Sequence, residues 1–88
     1  MKVLLRESFL KDVKHLKESH LRTLIKQTIE QVETVGTMME IRNLKKLKSK
    51  GNYYRIRLSE YRIGLKIDNE VVIFIRCLNR KEIYRYFP

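Results

Sequence analysis

Hydrophobic positions along the 88-residue chain change period between the first and second halves. Residues 2–5, KVLL, are a short apolar stretch that reads as a first strand. Beyond Ser8, Phe9, Val13 and Leu16 recur at helical spacing with Leu10 beside them, and charged residues fill the gaps. Ser8 is the expected N-cap of this helix, and Ser19 that of a second one. The second stripe, Leu21, Leu24, Ile25, Thr28, Ile29 and Val32, follows the i, i+3, i+4, i+7 rule. Gly36 ends that helix or lies just past its last turn. Two amphipathic helices with a short link predict an αα-hairpin. Residues 37–52 show no strand pattern. Met38, Met39 and Ile41 suit a loop or helical turn, and Leu44 and Leu47 anchor the run NLKKLKSKGN.

From Tyr53 the period becomes two. Tyr54, Ile56 and Leu58 alternate with Tyr53, Arg55 and Arg57; then Tyr61, Ile63, Leu65 and Ile67 alternate with Arg62, Gly64 and Lys66. A two-residue turn at Ser59-Glu60 opposes Leu58 with Tyr61, Arg57 with Arg62, Ile56 with Ile63, Arg55 with Gly64 and Tyr53 with Lys66. Ile56, Ile63, Tyr54 and Leu65 then share a face for the helices to cover. The third segment, VVIFIRCL, is apolar on both sides, as a central strand is. A three-residue loop at Asp68-Asn69-Glu70 would set Val71, Ile73 and Ile75 on the helix face and turn Arg76 toward the other arginines. That loop is favoured here because an unpaired buried arginine is costly. A short helical turn fits residues 80–85. The expectation is a single α+β domain over residues 1–88: an antiparallel β-sheet with two N-terminal amphipathic helices packed on one face, in the order β-α-α-β-β-β.

Charge sharpens this picture. Residues 1–44 carry eight Lys/Arg against six Asp/Glu, whereas residues 45–88 carry twelve against four. The surplus in the second half marks a polyanion-binding surface, or else a solubilising face or one that meets an acidic protein. The polar face of the hairpin collects Tyr53, Arg55, Arg57, Arg62 and Lys66. Directly opposed like charges cost about 0.2–1 kcal/mol per pair, so a sequence serving stability alone would not oppose Arg57 with Arg62. An anion between them resolves the conflict, because planar guanidiniums suit phosphate oxygens. Gly64, opposite Arg55, leaves room for a ligand to approach, and the Tyr53 ring offers a stacking surface for a base. Glu60, Asp68 or Glu70 would instead neutralise the arginines if the face were merely structural. Arg80 and Tyr84 follow near the rim. Lys45, Lys46, Lys48 and Lys50 form either a solvated loop or an arm that contacts phosphate.

One cysteine, Cys77, excludes an internal disulfide and fits a reducing cytosol. The apolar run Val71–Ile75 is far too short to span a bilayer, and MKVLLRESF meets charge too early for a secretory signal; a cytoplasmic protein with no membrane association is expected. No Cys/His set or carboxylate cluster has metal-ligand spacing, so no metal or cofactor is expected.

YYRIRLSEYRIGLKI, the apolar strand after it and LNRKEIYR resemble the RelE/ParE superfamily of bacterial and archaeal type II toxins over residues 44–85. There, a tyrosine-rich YRIR strand precedes a YRI strand and a C-terminal hRKDVY motif. The resemblance implies an antiparallel sheet with two N-terminal helices on one face, and a toxin neutralised by a cognate antitoxin. RelE-like members cut mRNA in the A site of the small ribosomal subunit, whereas ParE-like members poison DNA gyrase and lack the basic set. Arg57 and Arg62 match basic positions of the family's second and third strands, Arg55 a further one on the second, Arg80 the arginine after the last strand, and Tyr84 the tyrosine near the end. Both second-strand positions are lysine in RelE itself; arginine binds phosphate but is a poor proton acceptor, so the general base is open between Lys66 and one of Lys45–Lys50. The resemblance therefore implies catalytic Arg57, Arg62, Arg80 and Tyr84 and a further basic position at Arg55; the charged face read above adds Tyr53, Arg55, Lys66, the four loop lysines and Arg76 as RNA contacts. The alternatives are a ParE-like gyrase inhibitor and a basic RNA-binding module without nuclease activity.

Overall fold

A computed structural model describes all residues from Met1 to Pro88. The elements are β1 (Lys2–Leu5), α1 (Glu7–Lys14), α2 (Ser19–Thr34), a single 3-10 turn (Met38–Glu40), β2 (Leu44–Lys46), β3 (Tyr53–Leu58), β4 (Tyr61–Asp68), β5 (Val71–Asn79) and α3 (Ile83–Tyr86). The five strands form one sheet in the order β1-β5-β4-β3-β2. All neighbours are antiparallel except β1, which runs parallel to β5.

The β3–β4 register pairs Arg57 with Arg62, Ile56 with Ile63, Arg55 with Gly64 and Tyr53 with Lys66, as the alternation of apolar and charged residues requires. One sheet face carries Tyr54, Ile56, Ile63, Leu65, Ile67, Val72, Phe74 and Cys77, and it packs on Phe9, Leu16, Leu21, Ile25 and Val32 of the helical layer. Phe9 meets Phe74 edge to face, with ring centroids 5.3 Å apart. Burying two such rings contributes about 1.5–3 kcal/mol each.

Four expectations are corrected. Ser8 and Ser19 do not cap: Arg6 and Glu18 precede the helices, and neither makes a side-chain cap bond. Ser8 lies inside α1, and its hydroxyl donates to the Ile75 carbonyl at 2.5 Å. The segment 37–52 does hold a strand: β2 pairs with the outer side of β3. Two exposed lysines in three residues hid it, because a strand this short with charge on both faces lacks the apolar alternation that marks buried strands. The β4–β5 turn has two residues rather than three. Asn69 and Glu70 both take positive φ, at 47° and 67°, so Val72 and Phe74, not Val71, Ile73 and Ile75, enter the core. A register shift then follows: Leu65 faces Phe74 but Gly64 faces Arg76, leaving Ile75 as the extra residue of a bulge. The bulge restores Arg76 to the charged face. Finally, β1 adds a parallel edge that local pattern does not disclose.

The β1 strand covers only the first half of β5. Beyond it, α1 side chains satisfy the exposed edge: Ser8 takes the Ile75 carbonyl, and Asp12 accepts the Cys77 amide at 2.9 Å. A helix thus substitutes for a missing strand.

Candidate nucleic-acid interface

The sheet face opposite the helices carries the arginines. Register fixes which side chains are neighbours: Arg57 beside Arg62, Arg55 beside Gly64, and Lys45 of β2 beside Arg55. Arg80 is brought to the same end by the hairpin turn, since its amide donates to the Glu60 carbonyl at 2.8 Å. Tyr84 follows on α3, 59% exposed.

Arg62 is the centre of the group. Its guanidinium is held below its ordinary affinity for a proton, first by burial, then by the adjacent Arg55, with Arg57 and Arg80 acting the same way and Tyr84 opposing them. Three cations and one phenol therefore act on a single guanidinium. The side chain is oriented by backbone: it donates to the Ser59 and Tyr61 carbonyls, both at 2.8 Å. Arg55 donates to the Asn43 carbonyl at 3.0 Å. Carbonyls orient these groups without neutralising them, and no carboxylate lies in ion-pair contact with Arg55, Arg57 or Arg62. Arg80 is different: Glu60 holds it at 2.8 Å, with the two side chains 55% and 67% exposed. Such an exposed pair is worth about 0–1 kcal/mol. Arg57 also borders a hollow of about 180 Å³ between α2 and β3, with Gln27, Thr28, Gln31 and Arg42 among its walls.

Other expected residues are placed apart. Lys46 faces the helix side, against Met38, Ile41 and Tyr54, whereas Lys48 and Lys50 lie exposed in the loop after β2. The Lys66 ammonium sits 5.9 Å from the Tyr53 ring centroid, and that ring packs edge-on against Phe87. The space expected above Gly64 is not open. Phe87 fills it so tightly that a Cβ on Gly64 would lie 2.5 Å from the ring. Phe87 thereby divides the face into an arginine end and a Tyr53–Lys66 end. Arg76 is drawn to the edge, where Asp12 takes its Nε at 2.8 Å and its Nη2 at 3.1 Å; this bond is the main reason its affinity for a proton is raised. Of the three acids expected to neutralise the arginines, Glu60 takes Arg80, while Arg76 is taken by a carboxylate of α1 and not by Asp68 or Glu70. Asp12 carried no sequence signal, because nothing local relates it to residue 76. Cys77 beside it is buried, and its thiol is pushed up to about 12, chiefly by burial and then by Asp12, which makes it inert. No trio of His, Cys, Asp or Glu is grouped to hold a metal, and His15 and His20 are exposed on the helical layer.

The sequence model of the family described as "ParE toxin of type II toxin-antitoxin system" matches residues 3–84. The chain belongs to this family of toxins. This toxin is 44% identical over 89 residues, covering the whole of both chains, to Toxin RelE3 of Methanocaldococcus jannaschii. Its fold superposes on the RelB-RelE antitoxin-toxin complex from Methanococcus jannaschii with a TM-score of 0.81 and 41% identity, covering 97% of this chain and 99% of that one. The archaeal RelE-RelB complex from Pyrococcus horikoshii shares the fold at a TM-score of 0.68 and 21% identity, covering 93% of this chain and 97% of that one. The toxin is thus a member of the RelE/ParE superfamily, with the α+β fold of RelE toxins. No helix is long and apolar enough to cross a membrane.

Proposed function

We propose that this toxin is an endoribonuclease of the RelE type, which cuts mRNA in the ribosomal A site of the cytoplasm and is neutralised by a cognate antitoxin. The observation that carries the reading is the register of the hairpin: Arg57 stands opposite Arg62 with Arg55 on the same face, and no carboxylate engages any of the three. Three guanidiniums on one sheet face with no resident anion, and a fourth held only by an exposed ion pair, suit a phosphodiester.

RNA cleavage by its own 2′-hydroxyl forms a bond from O2′ to phosphorus and breaks the bond to O5′. The O2′ proton goes to a base, the leaving O5′ gains a proton, and the phosphorane carries extra charge between the two events. Arg62 and Arg57 stabilise that charge, and Arg55 holds an adjacent phosphate. Arg80, released from Glu60, acts on the leaving-group side, and Tyr84 orients the base or the reacting oxygen. Lys45, in register with Arg55, is the lysine best supported as proton acceptor. Lys66 is less well supported, since Phe87 and Gly64 separate it from Arg62 along β4. The ribosome aligns the mRNA, which makes a modest acid–base set sufficient.

An antitoxin partner is supported by the names of the relatives in complex and by an apolar groove on the helical layer. Leu5, Phe9, Leu10, Val13, Ile25 and Ile29 line about 380 Å³ of it, and Leu4, Leu5 and Leu10 are 46%, 41% and 49% exposed. Contiguous apolar surface of this kind marks a protein contact.

Induced expression of the wild type and of Arg62→Ala tests the proposal, with cut sites mapped on translated mRNA. Cuts within codons on ribosomes, lost in the variant, are expected. DNA damage with intact mRNA would instead assign the gyrase activity of ParE-like toxins, and absence of any growth effect would leave a basic RNA-binding module.

A further inference from the structure

The C-terminal helix that carries Tyr84 cannot hold itself. α3 is only four residues long, and a single turn in water is far below the length at which helices persist. Its place on the sheet must come from tertiary anchors, and the molecule supplies them on both sides of Tyr84. Ile83 is fully buried and Phe87 is 3% exposed, while Tyr84 between them is 59% exposed. Both anchors lie outside the main hydrophobic cluster. Phe87 occupies the one position on β4 that has no side chain, with Gly64 beneath the ring and Tyr53 edge-on at 5.7 Å. Next to it, the Tyr86 ring lies 5.7 Å from the Arg76 guanidinium carbon, and Asp12 in turn fixes that guanidinium.

We propose that Phe87 is a positioning residue for the proposed reaction: seated over Gly64, it fixes α3 and so sets Tyr84 against Arg62. The inference rests on the endoribonuclease reading only for its catalytic consequence; the mechanical part stands without it. Gly64 is the complementary half of the device. It is buried not beneath a ligand but beneath the chain's own penultimate residue. Any side chain there evicts the ring, and the φ of Gly64 is not what demands glycine. The arginines are untouched by this contact: Arg55 and Arg62 are oriented by the carbonyls of Asn43, Ser59 and Tyr61. Losing Phe87 should therefore affect turnover more than the arginines' hold on phosphate.

Phe87→Ala, Gly64→Ala, Tyr84→Ala and the paired combinations test this in the full chain. Amide hydrogen exchange by NMR reads the mechanics without reference to activity. Phe87→Ala and Gly64→Ala should each lose protection at the Arg85 amide, which donates to the Glu82 carbonyl at 3.0 Å, while β4 and β5 keep theirs. Retained protection, or loss across the whole sheet, would overturn the proposal. Steady-state cleavage on programmed ribosomes reads the consequence. A misplacement of about 1 Å costs up to about 100-fold, so Phe87→Ala should lower kcat by about 10- to 100-fold with KM changed less than about threefold. In the Tyr84→Ala background the same change should be nearly silent, whereas a general loss of stability would add to it. Phe87→Leu, which refills the gap, should recover most of the rate. A kcat unchanged by Phe87→Ala after α3 is freed would also overturn it. A wild type that cuts no mRNA would remove the catalytic reading and leave the exchange result to decide whether Phe87 anchors α3.

Discussion

Asp12 is a single α1 side chain that ties the open edge of the sheet to the helical layer, so its removal should be felt throughout the fold. Its carboxylate accepts three hydrogen bonds: from Arg76 Nε at 2.8 Å, from Arg76 Nη2 at 3.1 Å and from the Cys77 amide at 2.9 Å. Breaking a buried ion pair costs about 3–5 kcal/mol, because the surviving partner is left unpaired. Here the two side chains keep 27% and 12% of their exposure, so solvent screens part of the loss. We expect about 3 kcal/mol for Asp12→Ala, near the low end of that range. Asp12→Asn keeps an oxygen for the Cys77 amide but loses the charge, and about 2 kcal/mol is expected. Equilibrium unfolding in urea measures this as a fall in midpoint with an unchanged slope. In a thermal scan the alanine variant should melt more than about 10 °C lower, at about 4–8 °C per kcal/mol for a domain of this size. The cycle with Arg76→Met should show a coupling of about 1–3 kcal/mol. A loss below about 0.5 kcal/mol, the range of an ordinary surface change, would mean that the edge of β5 is satisfied by water and that Asp12 does not hold the layers together.

Three other outcomes follow from the same contacts. The Cys77 thiol is raised from 9.0 to about 12 in the fold, so the native state holds its proton where the unfolded chain has lost it. Its contribution is fully present below pH 9 and declines by up to about 1.4 kcal/mol per pH unit above it. Cys77→Ala should make the alkaline fall in urea stability shallower, and an identical fall in both proteins would contradict the assignment. Glu70 occupies a left-handed position at φ 67°, which suits glycine in a two-residue turn; Glu70→Gly should raise stability by about 0.5–1 kcal/mol, visible as a higher melting temperature. Lys45→Ala should weaken binding to a short single-stranded RNA and reduce the slope of log K against log salt by about 0.7, whereas Lys46→Ala, on the other side of β2, should change that slope less. Equal effects would show that strand register does not govern which lysines meet the phosphates.

How much of this was legible beforehand differs from place to place. Local alternation determined the β3–β4 register, since shifting it by one residue would expose Ile56 and Ile63 and bury arginines. The same alternation put Arg55, Arg57 and Arg62 on one side of the sheet. The stripe from Leu21 to Val32 likewise determined the buried face of α2, because helical spacing alone sets which side chains align. The strand in the lysine run carried no pattern because Leu44 alone marks its core side and the two lysines after it are exposed. The bulge at Ile75 was invisible because its extra residue is apolar like its neighbours.

Tertiary structure alone decided three things. It paired β1 with β5 across the whole domain, gave Arg76 its carboxylate from α1, and set Phe87 into the space that Gly64 leaves open. Each of these joins residues far apart in the chain, and each depends on complementary charge or shape that appears only when the layers close. A sequence dictates what each stretch prefers to bury. Which distant side chain meets it is settled by packing.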